Sequence, residues 1–216
     1  PLKVVKSDKV NSYMWVYCSG RDSPDPNNPI PNIVLYDFHN SRAAACVVNY
    51  LDGYQGYLHV DGYQAYARTE ATLIGCWAHA RRKFIDAKKL QGKNKTGKVD
   101  VVLSLIQKLY GVESRIKDKS VDDKYTARQE VSLPILSKLK IWLEQDQPNL
   151  VGNSKLIEAA NYLANQWHKL IRYVDEGRLS IDNNRAERAV KPFVIGRKNW
   201  LFSQTANGAH ASATLY

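Results

Sequence analysis

Between Ser180 and Trp200 the chain reads SIDNNRAERAVKPFVIGRKNW, which sets one carboxylate, Glu187, among Arg185, Arg188, Lys191, Arg197 and Lys198. Glu187 stands four residues ahead of Lys191, the favourable order for a helical pair worth roughly a few tenths of a kcal/mol. The other cations outnumber what one acid can neutralise, so the excess positive charge calls for another anion, and a phosphodiester backbone fits. A second acid, Asp61, closes the apolar run YLHV and is followed by Gly62. The carboxyl ends of strands are where ligands and metals collect, although Asp-Gly is also a plain turn signal. Hard dications such as Mg²⁺ or Mn²⁺ take oxygen ligands from one or two carboxylates, with water and substrate phosphate completing the shell. Two such ions about 3.5 to 4 Å apart activate a water or a 3′-hydroxyl and steady the leaving oxygen of an in-line attack on phosphorus. Two acids are the minimum for this chemistry. Asp61 and Glu187 supply them if the helix carrying Glu187 packs on the sheet carrying Asp61, and Asp182 is a further acid that could complete the set.

The stretch GCWAHARRKF, Gly75 to Phe84, carries a different signal. Cys76 and His79 have the spacing of half a zinc site, but no second Cys/His pair lies nearby in sequence. The preferred reading ends a buried strand at Cys76 and Trp77 and turns His79, Arg81, Arg82 and Lys83 towards DNA; a solvated basic helix start is the alternative. Trp200 and Phe202, beside Arg197 and Lys198, have the chemistry to stack on unpaired bases or to fill a core, and core is the reading for Phe202. Asn183 and Asn184 are suited to cap the last helix.

Elements must bring these residues into place. Up to about Asn40 the sequence gives three short β-type runs, LKVVK, SYMWVYCSG and NIVLYDFHN, separated by turn-rich stretches, which predicts a three-strand antiparallel meander. The period then changes: Ser41 is a cap, and Ala44, Val47, Val48 and Leu51 share one helical face over about three turns. A strand ending at Asp61 and a second apolar run, ATLIGCWAH, follow, so the order is strand, strand, strand, helix, strand, strand: a mixed α/β arrangement. After the basic helix ARRKFIDAKKLQ comes the linker GKNKTGKVD. From Val99 to about Tyr173 apolar residues recur at helical spacing, as at Val102, Leu105, Ile106 and Leu109, with helices over Leu133 to Glu144 and Leu156 to Val174. That stretch reads as an inserted helical bundle. The last helix is expected over Asn183 to Lys191, stopped by Pro192, with VIGRKNWLF extended or in a tight turn.

The totals narrow the class. With 31 Lys and Arg against 21 Asp and Glu the net charge is +10 and the pI near 9.4, which favours nucleic acid or an anionic membrane as partner. No run of about 18 apolar residues and no signal-type opening occurs, so neither a membrane span nor a secretory signal is expected. Charged residues at 24% and hydrophobic residues at 44% exclude wholesale disorder. Cys18, Cys46 and Cys76, odd in number and far apart, suit a reducing cytoplasm. The first residue is Pro1, and PLKVV reads as the middle of a strand, so a longer parent chain is expected.

Four stretches in order, YMWVYCSG, VDGYQAY, GCWAHARRKF and NNRAERAVKPFVIGRKNWLF, together resemble the bacterial insertion-sequence transposases of the sixty-six family. The likeness runs from Pro1 to Tyr216, and the helical stretch from about Gly92 to Tyr173 contributes least. The resemblance implies a DDE-type catalytic core with a ribonuclease H-like mixed sheet over residues 1–91 and 174–216, carrying an inserted helical subdomain over 92–173. It implies a cut-and-join enzyme that moves a DNA element with two Mg²⁺ (or Mn²⁺) ions held by three acids. Asp61 in VDGY matches the second acid, Glu187 in NNRAER the third, and the cations around Glu187 would hold transposon-end DNA. Element ends and target DNA, a homo-oligomer assembled on DNA and accessory proteins of the same element are the implied partners, in the cytoplasm at the nucleoid. In this family the first acid lies in a DET triplet just ahead of a proline and a strand, and the chain begins at that proline; neither Asp8 nor Asp37 matches. One metal ligand is therefore expected outside this stretch, which would be inactive alone. Two other readings share the residues: another ribonuclease H-like nuclease or resolvase that hydrolyses without joining, and a nucleic-acid-binding module without catalysis.

Overall fold

Alternation along β1 (Tyr13–Cys18) and β2 (Val34–His39) explains how this hairpin is covered on two sides. The strands pair antiparallel, with Met14 opposite Phe38 and Trp15 opposite Asp37, and successive side chains point to opposite faces. Phe38, with Met14 and Tyr36 beside it, joins Leu2, Val4, Phe193, Ala209 and Ala213 in one apolar cluster. Trp15, Tyr13 and Tyr17 meet Val47 and Ala65 in another. Three helices complete these clusters: α1 (Ala44–Tyr50), α7 (Asn184–Trp200) and α8 (Ala206–Leu215); α7 packs on β1 and α8 on β2. This is the first of two compact units, formed by 1–56, 63–71 and 184–216. The computed structural model describes residues 2–4, 11–20, 32–91, 97–152, 154–200 and 203–215, with the backbone alone at 197–200.

The second unit, 57–62 with 72–183, is mostly helical. Its strands β3 (Tyr57–Val60) and β4 (Thr72–Gly75) pair in parallel, Val60 opposite Gly75. Five helices follow: α2 (Trp77–Lys89), α3 (Lys98–Ile116), α4 (Val121–Ala127), α5 (Leu133–Gln145) and α6 (Ser154–Leu170). The apolar stripes of α2, α3, α5 and α6 form one core with β4, including Ile74, Trp77, Phe84, Ile106, Leu139 and Leu163. Phe84 meets Trp142 edge to face at 5.9 Å. Gly75 is required here by close approach, since a methyl on it would stand 3.0 to 3.1 Å from Leu170.

The chain is thus mixed α/β, mostly helical with small sheets. The described strands pair as two separate two-stranded sheets, where one mixed sheet is expected. Of the expected first strand, Leu2 makes an antiparallel bridge with Ser12 and Val4 a parallel one with Ser203; Val5 and Lys6 lie outside the described residues. The helix start expected at Ser41 falls at Ala43, with the Ser41 hydroxyl accepting the Ala43 N–H at 3.0 Å.

One expectation is overturned: α7 does not stop at Pro192 but runs through it to Trp200, so 194–200 is helical rather than extended. An internal proline costs a helix about 3 kcal/mol because it removes one backbone donor and crowds the preceding turn. Phe193, next in sequence, is buried in the cluster with Phe38 and Ala209, and burial of a phenylalanine contributes about 1.5 to 3 kcal/mol, which offsets most of that cost.

The returning chain at Gly177 passes so close to α4 that a methyl there would lie 1.9 Å from the Val121 carbonyl oxygen. Backbone does not yield as a flexible side chain does, so Gly177→Ala lowers stability by about 1 to 3 kcal/mol. Gly111→Ala is the control, because a methyl on Gly111 meets open space inside a helix, where alanine is favoured by about 1 kcal/mol. Urea midpoints of the two variants should move in opposite directions.

Candidate functional site

Asp61 follows directly on the last residue of β3 and is exposed. Its neighbour Gly62 has φ +96°, a conformation L side chains avoid, so the chain turns sharply away and leaves the carboxylate at the carboxyl end of a parallel strand pair. The Tyr162 hydroxyl on α6 donates to the Asp61 carbonyl at 3.3 Å, fixing the turn. Burial pushes the Tyr162 hydroxyl up to about 12, with the Asp61 charge adding to the effect, so it remains a donor at neutral pH.

The same unit holds a polar cluster around Asp182. The Tyr110 hydroxyl on α3 donates to Asp182 Oδ2 at 2.9 Å. The Asn183 N–H donates to the buried Cys76 thiol at 3.3 Å, and Trp77 N–H donates to the Ile181 carbonyl at 3.2 Å. Burial raises the Cys76 pKa, while backbone N–H groups at Asn183, His79 and Ala78 pull it down. Among the described residues no group of three or more His, Cys, Asp or Glu is placed to hold a metal.

His59, on β3, has its Nδ1 shut off from solvent with no hydrogen-bond partner among the described residues. Burial lowers its pKa from 6.5 to about 4, against the attraction of the Asp182 charge. An unfolded chain binds a proton at this ring as pH falls through 6.5, whereas the folded chain does so only near 4. The contribution is therefore complete above about pH 6.5 and is lost as pH drops towards 4, by about 3 kcal/mol in all. Urea unfolding at pH 7.5 and 4.5 measures this, and His59→Leu should lose less stability than the wild type over that interval.

The cations of α2 divide. Arg81 and Arg82 are exposed, Arg81 reaching Gln107 at 3.5 Å. Lys83 is held by Glu158 at 2.8 Å and lies 5.2 Å from the Tyr162 ring centroid. Hydrogen bonds from Lys155 and then Lys83 bring the Glu158 carboxyl down to about 2. Lys88 pairs with Asp100 and Lys89 with Asp86. His79 is half-buried.

Glu187 belongs to the first unit. It lies in the first turn of α7 and is half-buried, where a carboxylate meets the positive end of the helix dipole. Arg185 is half-buried, Arg188 and Lys191 are exposed, and Arg197 and Lys198 lie in the last turns. The Tyr36 hydroxyl donates to the Ala189 carbonyl at 2.5 Å, and together with buried Phe193 this fixes the rotation of α7 on the hairpin. Burial raises the Cys18 thiol, with Arg185 pulling it back. Phe202 lies outside the described residues, and the side chain of Trp200 is not described.

Sequence reading missed Tyr110 and His59 as neighbours of Asp182, because 72 residues separate Tyr110 from its acceptor. It also missed a buried arginine, Arg128, which nothing local marks, since it stands in the polar stretch VDDKYTARQEVS.

No helix among the described residues is long and apolar enough to cross a membrane. The family model described as Transposase IS66 family matches residues 1–211. Two relatives from Sinorhizobium fredii, Uncharacterized protein y4qI and Uncharacterized protein y4jD, are each 34% identical, over 213 and 197 residues. The match takes in 93% and 87% of this chain but 39% and 38% of theirs, so the chain spans about two fifths of the length of these relatives. No solved structure matches. The strand-end acid in VDGY, the basic α2 and the helix bearing NNRAER thus stand in a chain that belongs to the IS66 family of transposases.

Proposed function

We propose that this chain is part of the catalytic core of a DNA transposase that cleaves phosphodiester bonds at the ends of a mobile element and joins them to target DNA. The observation that carries the reading is the exposed carboxylate of Asp61, directly after a parallel strand and turned out by Gly62. Glu187, in the first turn of a helix with Arg185, Arg188 and Lys191, is its proposed companion. The ribonuclease H-like core over 1–91 and 174–216, with 92–173 as an insertion, belongs to this reading, as do assembly of several copies on DNA, accessory proteins of the same element and work at the nucleoid.

Both acids offer hard oxygen donors of the kind Mg²⁺ or Mn²⁺ selects, and the exposure of Asp61 leaves room for the waters and phosphate oxygens such an ion keeps. Asp61 and Glu187 would hold the metal, whose chemistry when bound is to activate a water or 3′-hydroxyl and neutralise charge on the leaving oxygen. The protein's own cations do the rest: Arg81 and Arg82 in one unit, and Arg185, Arg188, Lys191, Arg197 and Lys198 in the other, bind phosphates and set the register of the duplex. His79 and Lys83 are placed in the same role, Lys83 by exchanging Glu158 for a phosphate.

The test uses the full-length protein and labelled duplex carrying an element end. Cleavage and joining should need Mg²⁺ and fall at least a hundredfold in Asp61→Asn, with duplex binding unchanged. Metal-dependent cleavage without a joined product would favour a hydrolytic nuclease. Binding with no metal-dependent cleavage would favour a non-catalytic module.

A further inference from the structure

Arg128 is 2% exposed and opens a π-helical turn, Arg128–Ser132, between α4 and α5. A guanidinium carries five N–H donors, and each has an acceptor here. Nε and Nη2 donate to the two carboxylate oxygens of Glu113 at 2.9 and 2.7 Å. Nη1 donates to the carbonyls of Tyr173 and Glu176 at 2.9 and 2.8 Å, and Nη2 to that of Leu179 at 2.8 Å. Gln129 Nε2 adds the Val174 carbonyl at 2.8 Å. Two neighbouring side chains thus hold four carbonyls of one stretch that has little regular structure of its own.

The same stretch is fastened further on. Gly177 sits against the Val121 carbonyl, Ile181 accepts from Trp77, Asp182 from Tyr110, and Asn183 donates to Cys76. A buried Arg–Glu pair adds little net stability over an apolar pair of similar volume. What an apolar pair cannot do is fix the direction of three backbone carbonyls. π-helical turns also gather at functional sites.

We propose that Arg128 is the positioning residue of the return stretch Tyr173–Asn183, and that α3 to α6 form a jig whose task is to set that stretch, from which the chain enters the helix bearing Glu187. The effect on strand cleavage rests on the transposase reading; the effect on the stretch does not.

The experiment compares the full-length wild type with Glu113→Leu/Arg128→Met, which removes both charges and keeps apolar volume. Arg128→Lys, which keeps a cation beside Glu113 but has too few donors for all the carbonyls, is the second variant should the first not fold. Amide exchange over 173–183 and over α3 and α6, with kcat and KM for cleavage of element-end DNA, gives the readout. We expect exchange over 173–183 at least tenfold faster, exchange in α3 and α6 unchanged, and kcat at least tenfold lower with KM unchanged. Folded variants with unchanged exchange over 173–183 would overturn the jig, and fast exchange with unchanged kcat would overturn its link to cleavage. A wild type that does not cleave fails the transposase reading instead, and the exchange rates still decide the jig.

Discussion

Glu187→Gln in the full-length protein is expected to lower strand cleavage and joining about a thousandfold, an increase of ~4 kcal/mol in the barrier, while affinity for element-end DNA stays within about twofold. Glutamine keeps the length and shape of the side chain and removes the charge a dication requires. Arg185, Arg188 and Lys191 are untouched, so the phosphate contacts that dominate affinity persist. The competing role, a surface acid placed well for the helix dipole and for a pair with Lys191, predicts a change of roughly a few tenths of a kcal/mol in stability and none in turnover. The two outcomes differ by orders of magnitude. Parallel cleavage and gel-shift assays separate them, and activity within tenfold of wild type would remove Glu187 from the metal-binding set.

Glu113→Leu is expected to be among the most destabilising single changes in the chain. It leaves the Arg128 guanidinium, with a side chain 2% exposed, without its counter-charge, and breaking a buried pair on one side costs about 3 to 5 kcal/mol. In a chain of this size each kcal/mol moves the thermal midpoint by about 2 to 4 °C, so a drop on the order of 10 °C should appear in a calorimetric or circular-dichroism melt. Glu113 is itself only 16% exposed, so solvent screens the pair weakly. Adding Arg128→Met to Glu113→Leu removes the uncompensated charge but also takes the donor from the Tyr173, Glu176 and Leu179 carbonyls, so it should recover only part of the loss. A single variant within about 1 kcal/mol of wild type would show that water reaches the guanidinium.

What the sequence made legible was local. The helical period from Val99 onward found α3, and the helices expected from Leu133 and Leu156 correspond closely to α5 and α6. Asp61 was placed at a strand end because Val60, Asp61 and Gly62 are consecutive, and the setting of Glu187 follows from its own helix. Long-range partners were not legible. Lys83 was read as facing DNA, yet it is paired with Glu158, 75 residues away. The continuation of α7 through Pro192 depends on a pocket lined by Phe38 and Ala209, which no window around Pro192 contains. Arg128 finds its carbonyl acceptors 45 to 51 residues downstream, beyond the reach of any periodicity.

The order of segments in the first unit bears on how the chain is made. A ribosome delivers β1 and β2 ahead of the helical unit, but α7 and α8, which cover one side of that hairpin, emerge only after that whole unit has been synthesised. Until then Phe38 and its neighbours have no helix to cover them, the kind of transient apolar surface that recruits chaperones or seeds aggregation. Nascent chains stalled before Asn184 should therefore be sticky and protease-sensitive around β1 and β2 even though the helices made in between have already folded.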